Sequence, residues 1–162
     1  MECGRIPRVA GDTQEQTALE PKNPDFHDRT LRYAEAQPFA NHLGIEIEKI
    51  QPGFVEVEME PAQFHRNPKQ YIQIGVVVTV GQYAASLATL TLLAADEHAE
   101  DLEVKVDFVR APRGDRLIVR ARVKETGRRL SATDAEIFVV MGQREALVAK
   151  LTTLQQVVPG AD

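Results

Sequence analysis

The sequence predicts an α+β protein in which an antiparallel sheet of about six strands curls round one long hydrophobic helix. Three observations carry that expectation. Gln70 to Ala95 runs 26 residues without a charge, in a chain where 27% of residues are charged. Ahead of it, Ile45–Glu48 and Phe54–Glu60 alternate apolar and charged residues at period two. Behind it, three or four more alternating segments follow, divided by turn-forming residues. Alternation marks half-buried strands, and an unbroken apolar run too long for a strand marks a buried helix.

In chain order, Met1 to Asn23 is polar, contains Pro7 and Pro21 and shows no period. Residues 1–23 are therefore expected to form a flexible tail or an arm laid on the surface, with 24–162 as one folded domain. Asp25 is expected to cap a helix over Phe26–Gln37, with His27, Leu31 and Ala34 on one face, and Pro38 to kink or end it. The two alternating segments then form a hairpin about Gln51-Pro52-Gly53. Pro61–Gln73 reads as an irregular connection and Asp96–Asp101 as an acidic loop. Beyond that loop, Leu102, Val104, Val106 and Phe108 alternate with Glu103, Lys105 and Asp107. Turns at Pro112–Asp115, Thr126–Arg129 and Gly142–Glu145 separate the last three strands, which carry Val119, Ala121 and Val123, Leu130–Val140 and Ala146–Val157.

The uncharged run is long enough to span a membrane. Six Thr, Ser and Gln residues interrupt it between Gln73 and Thr91, acidic residues follow it, and the flanking strands need a buried partner, all of which favour a core helix. As a helix it carries one polar stripe: Thr79, Gln82, Tyr83, Ser86 and Thr89. These groups either bond back to the helix and adjoining strands or line a ligand channel with Gln82 at its middle. One small sheet cannot cover so apolar a helix on every side, which points to a homodimer, or a dimer of dimers.

Net charge of −5 and a pI near 5.4 argue against nucleic acid as a partner. No basic amphipathic helix suggests a membrane surface. The single cysteine, Cys3, gives neither a disulfide framework nor zinc spacing. Without an apolar leader segment at the N-terminus, the expected location is the cytoplasm.

Several pieces in order resemble the hotdog-fold thioesterases, in particular the phenylacetate-pathway (PaaI-like) branch that acts on acyl-CoA. They are His42-Leu43-Gly44-Ile45, Pro52-Gly53, Gly75-Val76-Val77, Val104-Lys105-Val106-Asp107-Phe108 with Arg110-Ala111-Pro112, and Thr126-Gly127-Arg128. The resemblance covers about Phe39 to Val157. The resemblance implies the hotdog fold, hydrolysis of a coenzyme A thioester without a further cofactor or metal, and a site at a dimer interface. Such proteins carry Asn, two residues, Gly, two residues, His-Gly-Gly, and an acid seven positions on. Here the pattern falls on Asn67, Gln70, Gln73-Ile74-Gly75 and Gln82, so only Asn67 and Gly75 match.

Thioester hydrolysis needs a polarised carbonyl and an activated water. The backbone amides of Ile74 and Gly75, at the positive end of the helix, are suited to hold an oxyanion, beside Gln73. Asn67 is either a positioner of water or carbonyl, or an ordinary turn residue before Pro68. Gln82 has no titratable proton and cannot serve as a base, although it can orient water. His65, His98 and Asp101 are the substitute bases; otherwise His65 is a surface histidine and the other two belong to the acidic loop. Nothing in the spacing makes Asp96, His98 and Asp101 a metal site. Thr79, Tyr83 and Ser86 would line the substrate channel. Under the resemblance Arg110, Arg113 and Arg128 would meet coenzyme A phosphates; otherwise they form a solvated basic rim. A weak hydrolase is thus expected, with a non-catalytic acyl-binding protein as the rival.

Overall fold

The computed structural model describes residues 19–160. Its centre is one antiparallel sheet of six strands: β1 (Ile45–Gln51), β2 (Phe54–Met59), β3 (Glu97–Phe108), β4 (Arg116–Thr126), β5 (Leu130–Met141) and β6 (Arg144–Pro159). Their spatial order is β1-β2-β4-β5-β6-β3, so β1 and β3 are the edges. Helix α3 (Ile74–Leu90) lies across one face and touches every strand. The expected α+β architecture is the one observed.

The helix is shorter than the uncharged run. Ile72 is buried but extended, donating its N–H to Pro112 O at 2.8 Å, while Leu92 and Leu93 are buried in the turn after the helix. The run is longer than its helix because apolar connections also enter the core. Gly81 marks the closest approach: a Cβ there would lie 2.7 Å from Ile137 Cδ1 and 3.0 Å from Leu151 Cδ1. Val55, Val57, Leu117, Val119, Ala121, Ile137 and Leu151 form the sheet's side of this core, fully or almost fully buried. The opposite face is ionic. Arg120 joins Glu56 and Glu145, each at 2.5 Å, and Arg116 reaches Glu58 at 3.3 Å.

Three local expectations change. Helix α1 spans Phe26–Glu35 and buries Thr30 and Ala34, but Asp25 makes no capping bond through its side chain. Asn23 takes that part of the chain in hand: its Oδ1 accepts from Asp25 N–H at 3.0 Å. Pro38 opens a further short helix, α2 (Pro38–Leu43), because proline fits the first helical turn as well as it ends a preceding one. The third change concerns the acidic loop. Strand β3 begins at Glu97, so His98 and Asp101 sit on a strand paired with β6, not in a solvated loop.

Of the N-terminal segment, residues 1–18, with Cys3, lie outside the described residues. Leu19 packs against the core, Lys22 pairs with Glu97 at 2.9 Å, and Asn23 is buried. No helix among the described residues is long and apolar enough to cross a membrane.

Candidate active site

The approach to α3 is a tight loop built by Asn67. Its Oδ1 accepts from Lys69 N–H (2.9 Å) and Tyr71 N–H (3.1 Å), and its main chain exchanges bonds with Gln70 and Tyr71. Gln70, where the family pattern has glycine, adopts a left-handed φ of 64°. The loop therefore keeps the glycine's conformation without the glycine. Asn67 is a turn-former here, and its Nδ2 makes no hydrogen bond among the described residues.

The chain then enters α3 through Gln73, whose N–H is held by His65 O at 2.8 Å and whose O accepts from Val76 and Val77. The N–H groups of Ile74 and Gly75 have no acceptor among the described residues. Both residues are exposed, and a Cβ on Gly75 would meet nothing within 4 Å. Two free donors thus face open space at the positive end of a 17-residue helix. Pro112 O, gripping Ile72, sets the loop bearing Arg110 and Arg113 beside this terminus. Arg128, on the β4–β5 turn, stands at the opposite end of the sheet, by a cleft of about 600 Å³ lined also by Arg129, Leu130 and Leu154. The side chains of Arg110, Arg113 and Arg128 are exposed.

Gln82 lies seven residues beyond Gly75, about 10 Å along the axis at 1.5 Å per residue. Its Nε2 donates to Ser86 Oγ at 2.9 Å and to Asp101 Oδ2. Gln155, on β6, donates from its own Nε2 to Ser86 Oγ at 3.0 Å and to Asp101 Oδ1 at 2.8 Å. Four residues from three elements thus close a ring in which one carboxylate and one hydroxyl each accept from both amides. Gln155 is fully buried and its Oε1 has no partner among the described residues, whereas Asp101 is open to solvent. Beside Ser86 opens a groove of about 380 Å³, lined with Tyr33, Leu90, His98 and Ala99.

The rest of the polar stripe divides. Thr79 bonds back to Gly75 O at 2.8 Å, and Thr89 meets Thr133 of β5 at 2.9 Å, so both are structural. Burial, with a smaller contribution from Tyr33, pushes the Tyr83 phenol up to about 12. His65 is buried, contrary to a surface-loop reading. Its Nδ1 accepts from Ala62 N–H at 3.0 Å, its Nε2 is unpartnered, and burial, with His42 and Arg66 nearby, lowers its pKa. His98 approaches Glu100 at 3.6 Å. No group of acidic, His or Cys residues among the described ones is arranged to hold a metal ion. Gln155 is the participant that sequence reading missed. Its signal was parity: with Leu151, Thr153 and Val157 it occupies the inward positions of β6.

A family model described as the thioesterase superfamily matches residues 74–146, from the first residue of α3 into β6. The domain has the hotdog fold of that superfamily. A thioesterase family protein from Silicibacter pomeroyi is 25% identical, with a TM-score of 0.82 over 83% of this chain and 99% of that one. The E. coli PaaI protein from the phenylacetic acid degradation operon is 23% identical, with a TM-score of 0.76 over 86% and 98%. A thioesterase from Haemophilus influenzae is 20% identical, with a TM-score of 0.72 over 82% and 90%. No curated protein sequence matches the chain. In this hotdog domain, the helix position at which the family pattern has an acid is Gln82, and a carboxylate from the edge strand lies against its amide.

Proposed function

We propose that the protein hydrolyses an acyl thioester, acyl-CoA being the expected form, without a further cofactor. The observation that carries this reading is the pair of unclaimed N–H groups at Ile74 and Gly75, in open space at the positive end of α3. A carbonyl oxygen accepting from both would gain most as it turns anionic, when water adds to the carbon. The new C–O bond then persists, the C–S bond breaks, and acid and thiol leave.

The site needs a second copy of the chain. About 10 Å separates the Gly75 amide from Gln82 along one helix, too far for a water near Gln82 to reach a carbonyl at that amide. The open edge β3 supports a dimer: Val104 and Phe108 point to the helix side yet remain 38% and 39% exposed, and Ile74 is 58% exposed. Unpaired edges and uncovered apolar residues are the features a partner covers. Asn67, through its free Nδ2, and Gln73 flank the carbonyl. Ser86 borders the acyl groove, with Tyr83 one turn before it on the helix, and Arg110 and Arg113 attract the coenzyme A phosphates. Arg128 would join only at a site that the second copy completes. The cytoplasm, where acyl-CoA is made and used, is the expected setting.

The test is steady-state hydrolysis of a short- and medium-chain acyl-CoA panel, read as free thiol. Turnover on any member supports the reading. Thermal stabilisation by acyl-CoA with no turnover on any would replace it with an acyl-binding protein.

A further inference from the structure

Resting on the hydrolase reading above, we infer that Asp101 is the acid–base residue of this site, its carboxylate delivered from β3 and held in place by Gln82 and Gln155. The pattern of the family that this chain resembles carries an acid on the helix, where this chain carries Gln82. A hydrolase still needs a group that takes a proton from water, and an amide cannot. Asp101 stands at the missing group's place, with Oδ2 accepting from Gln82 and Oδ1 from Gln155 at 2.8 Å.

The arrangement has the marks of a held base. A carboxylate has about four lone-pair sites, and two amide donors leave others for water. Ser86 Oγ, accepting from the same two amides at 2.9 and 3.0 Å, fixes their orientation. Gln155 is fully buried, so the carboxylate is steered from the core and not by a swinging surface chain. The β-bulge between Asp101 and Glu103 turns Asp101 to the helix side of the sheet, opposite Gln155. A strand without it would have pointed Asp101 outward.

The alternative bases are worse placed. His65 is buried, its Nδ1 occupied by Ala62 N–H and its Nε2 sealed from solvent. His98 shares β3 but pairs loosely with Glu100 at 3.6 Å and makes no bond to the ring. In the inferred step, water attacks the thioester carbon while its proton passes to Asp101. The tetrahedral oxyanion rests on the Ile74 and Gly75 amides of the second copy. Its collapse expels the thiolate, which takes the proton from Asp101, and the carboxylate is restored.

The experiment compares wild type, Asp101→Asn, Asp101→Glu and the exchange Gln82→Asp/Asp101→Asn on the best acyl-CoA of the panel, with melting temperatures for each. General-base loss is worth about 10²–10⁴-fold. Asp101→Asn should therefore lose at least about 10²-fold in kcat with KM, melting temperature and acyl-CoA-induced stabilisation nearly unchanged. Asp101→Glu should retain part of the rate, and the exchange should recover activity by returning a carboxylate to the helix. A wild-type enzyme that turns over and an Asp101→Asn variant that matches it would overturn the inference and leave the hydrolase reading standing. A wild type without turnover on any substrate overturns both. Loss of kcat in Asp101→Asn together with a lowered melting temperature, unrelieved by the exchange, would make Asp101 structural and also overturn it.

Discussion

Gln155 Nε2 donates to Asp101 Oδ1 across 2.8 Å, joining a fully buried amide on β6 to an exposed carboxylate on β3. The bond spans the core and the sheet edge, so a change at one end is felt at the other. Gln155→Leu removes two donors but also removes an amide oxygen that has no partner among the described residues. These effects oppose each other in stability, at about 1 kcal/mol per hydrogen bond. The melting temperature should move little, while kcat on an acyl thioester falls about tenfold as Asp101 is left with Gln82 alone, the factor that about 1.4 kcal/mol represents.

Ile74→Pro tests the oxyanion donors without disturbing the helix. Proline is favoured at the first helical position, and Gln73 ahead of it already has φ −58° and ψ 134°, which a residue before proline prefers. The Ile74 N–H donates to nothing among the described residues, so no bond in the fold is lost. Folding should be nearly unchanged by circular dichroism and thermal melting. Hydrolysis should fall by about 10²–10³-fold, the effect of removing one such donor.

Gln70→Gly should stabilise the protein. A non-glycine residue in the left-handed region costs about 1–2 kcal/mol, and glycine gives back about 0.5–1 kcal/mol in unfolded-state freedom. A net gain of about 0.5–1 kcal/mol remains, seen as a rise of about 2 °C in melting temperature. Gln70→Val should move the other way, since a β-branched side chain fits this conformation worst.

Tyr83 should titrate well above the ordinary range of a tyrosine. Its folded pKa, about 12, lies above the ordinary value near 10. The folded state therefore holds the phenolic proton more tightly than the unfolded chain does. The associated stability is fully present below about pH 10 and is lost as pH rises toward 12. Ultraviolet difference titration should show a late phenolate step, absent in Tyr83→Phe.

Glu97 should make the fold acid-sensitive. Burial opposes its charge, but Ala94 N–H and Lys22, each at 2.9 Å, together with Arg29, outweigh burial and hold its pKa below the usual carboxylate value. Stability from this group is present above the unfolded value and lost as pH falls through the lowered one. From about pH 5 downward, wild type should lose stability more steeply than Glu97→Gln in denaturant melts.

Strand parity explains what was legible in the sequence. Val119, Ala121 and Val123 alternate without interruption on β4, and the fold follows from such patterns. On β3 the alternation of Leu102, Val104, Val106 and Phe108, extended backward, would put Glu100 and His98 on the inner face. The bulge at Asp101/Glu103 shifts the register, so Asp101 and Ala99 face inward instead, and the acidic stretch looked like a loop. Asp25 misled in another way: a good capping residue precedes α1, yet Asn23 makes the local bond. The free amides at Ile74 and Gly75 were readable because they follow from the start of the helix alone. The Gln82–Asp101–Gln155 ring was not, because it needs three elements brought together by a kink that leaves no mark in composition.

The loops at the start of α3 are fastened by one main-chain bond and one side-chain bond. Pro112 O holds Ile72 N–H at 2.8 Å, and Gly114 O accepts from Arg66 Nη2 at 2.9 Å, so the segment carrying Arg110 and Arg113 is bolted to the segment that presents the Ile74 and Gly75 amides. Gly114 lies so close to β5 that a Cβ there would fall 2.6 Å from Val140 O, which leaves no room for a side chain. An anion held at Arg110 or Arg113 would therefore rest on a loop fastened two to three residues before the peptide groups that open the helix.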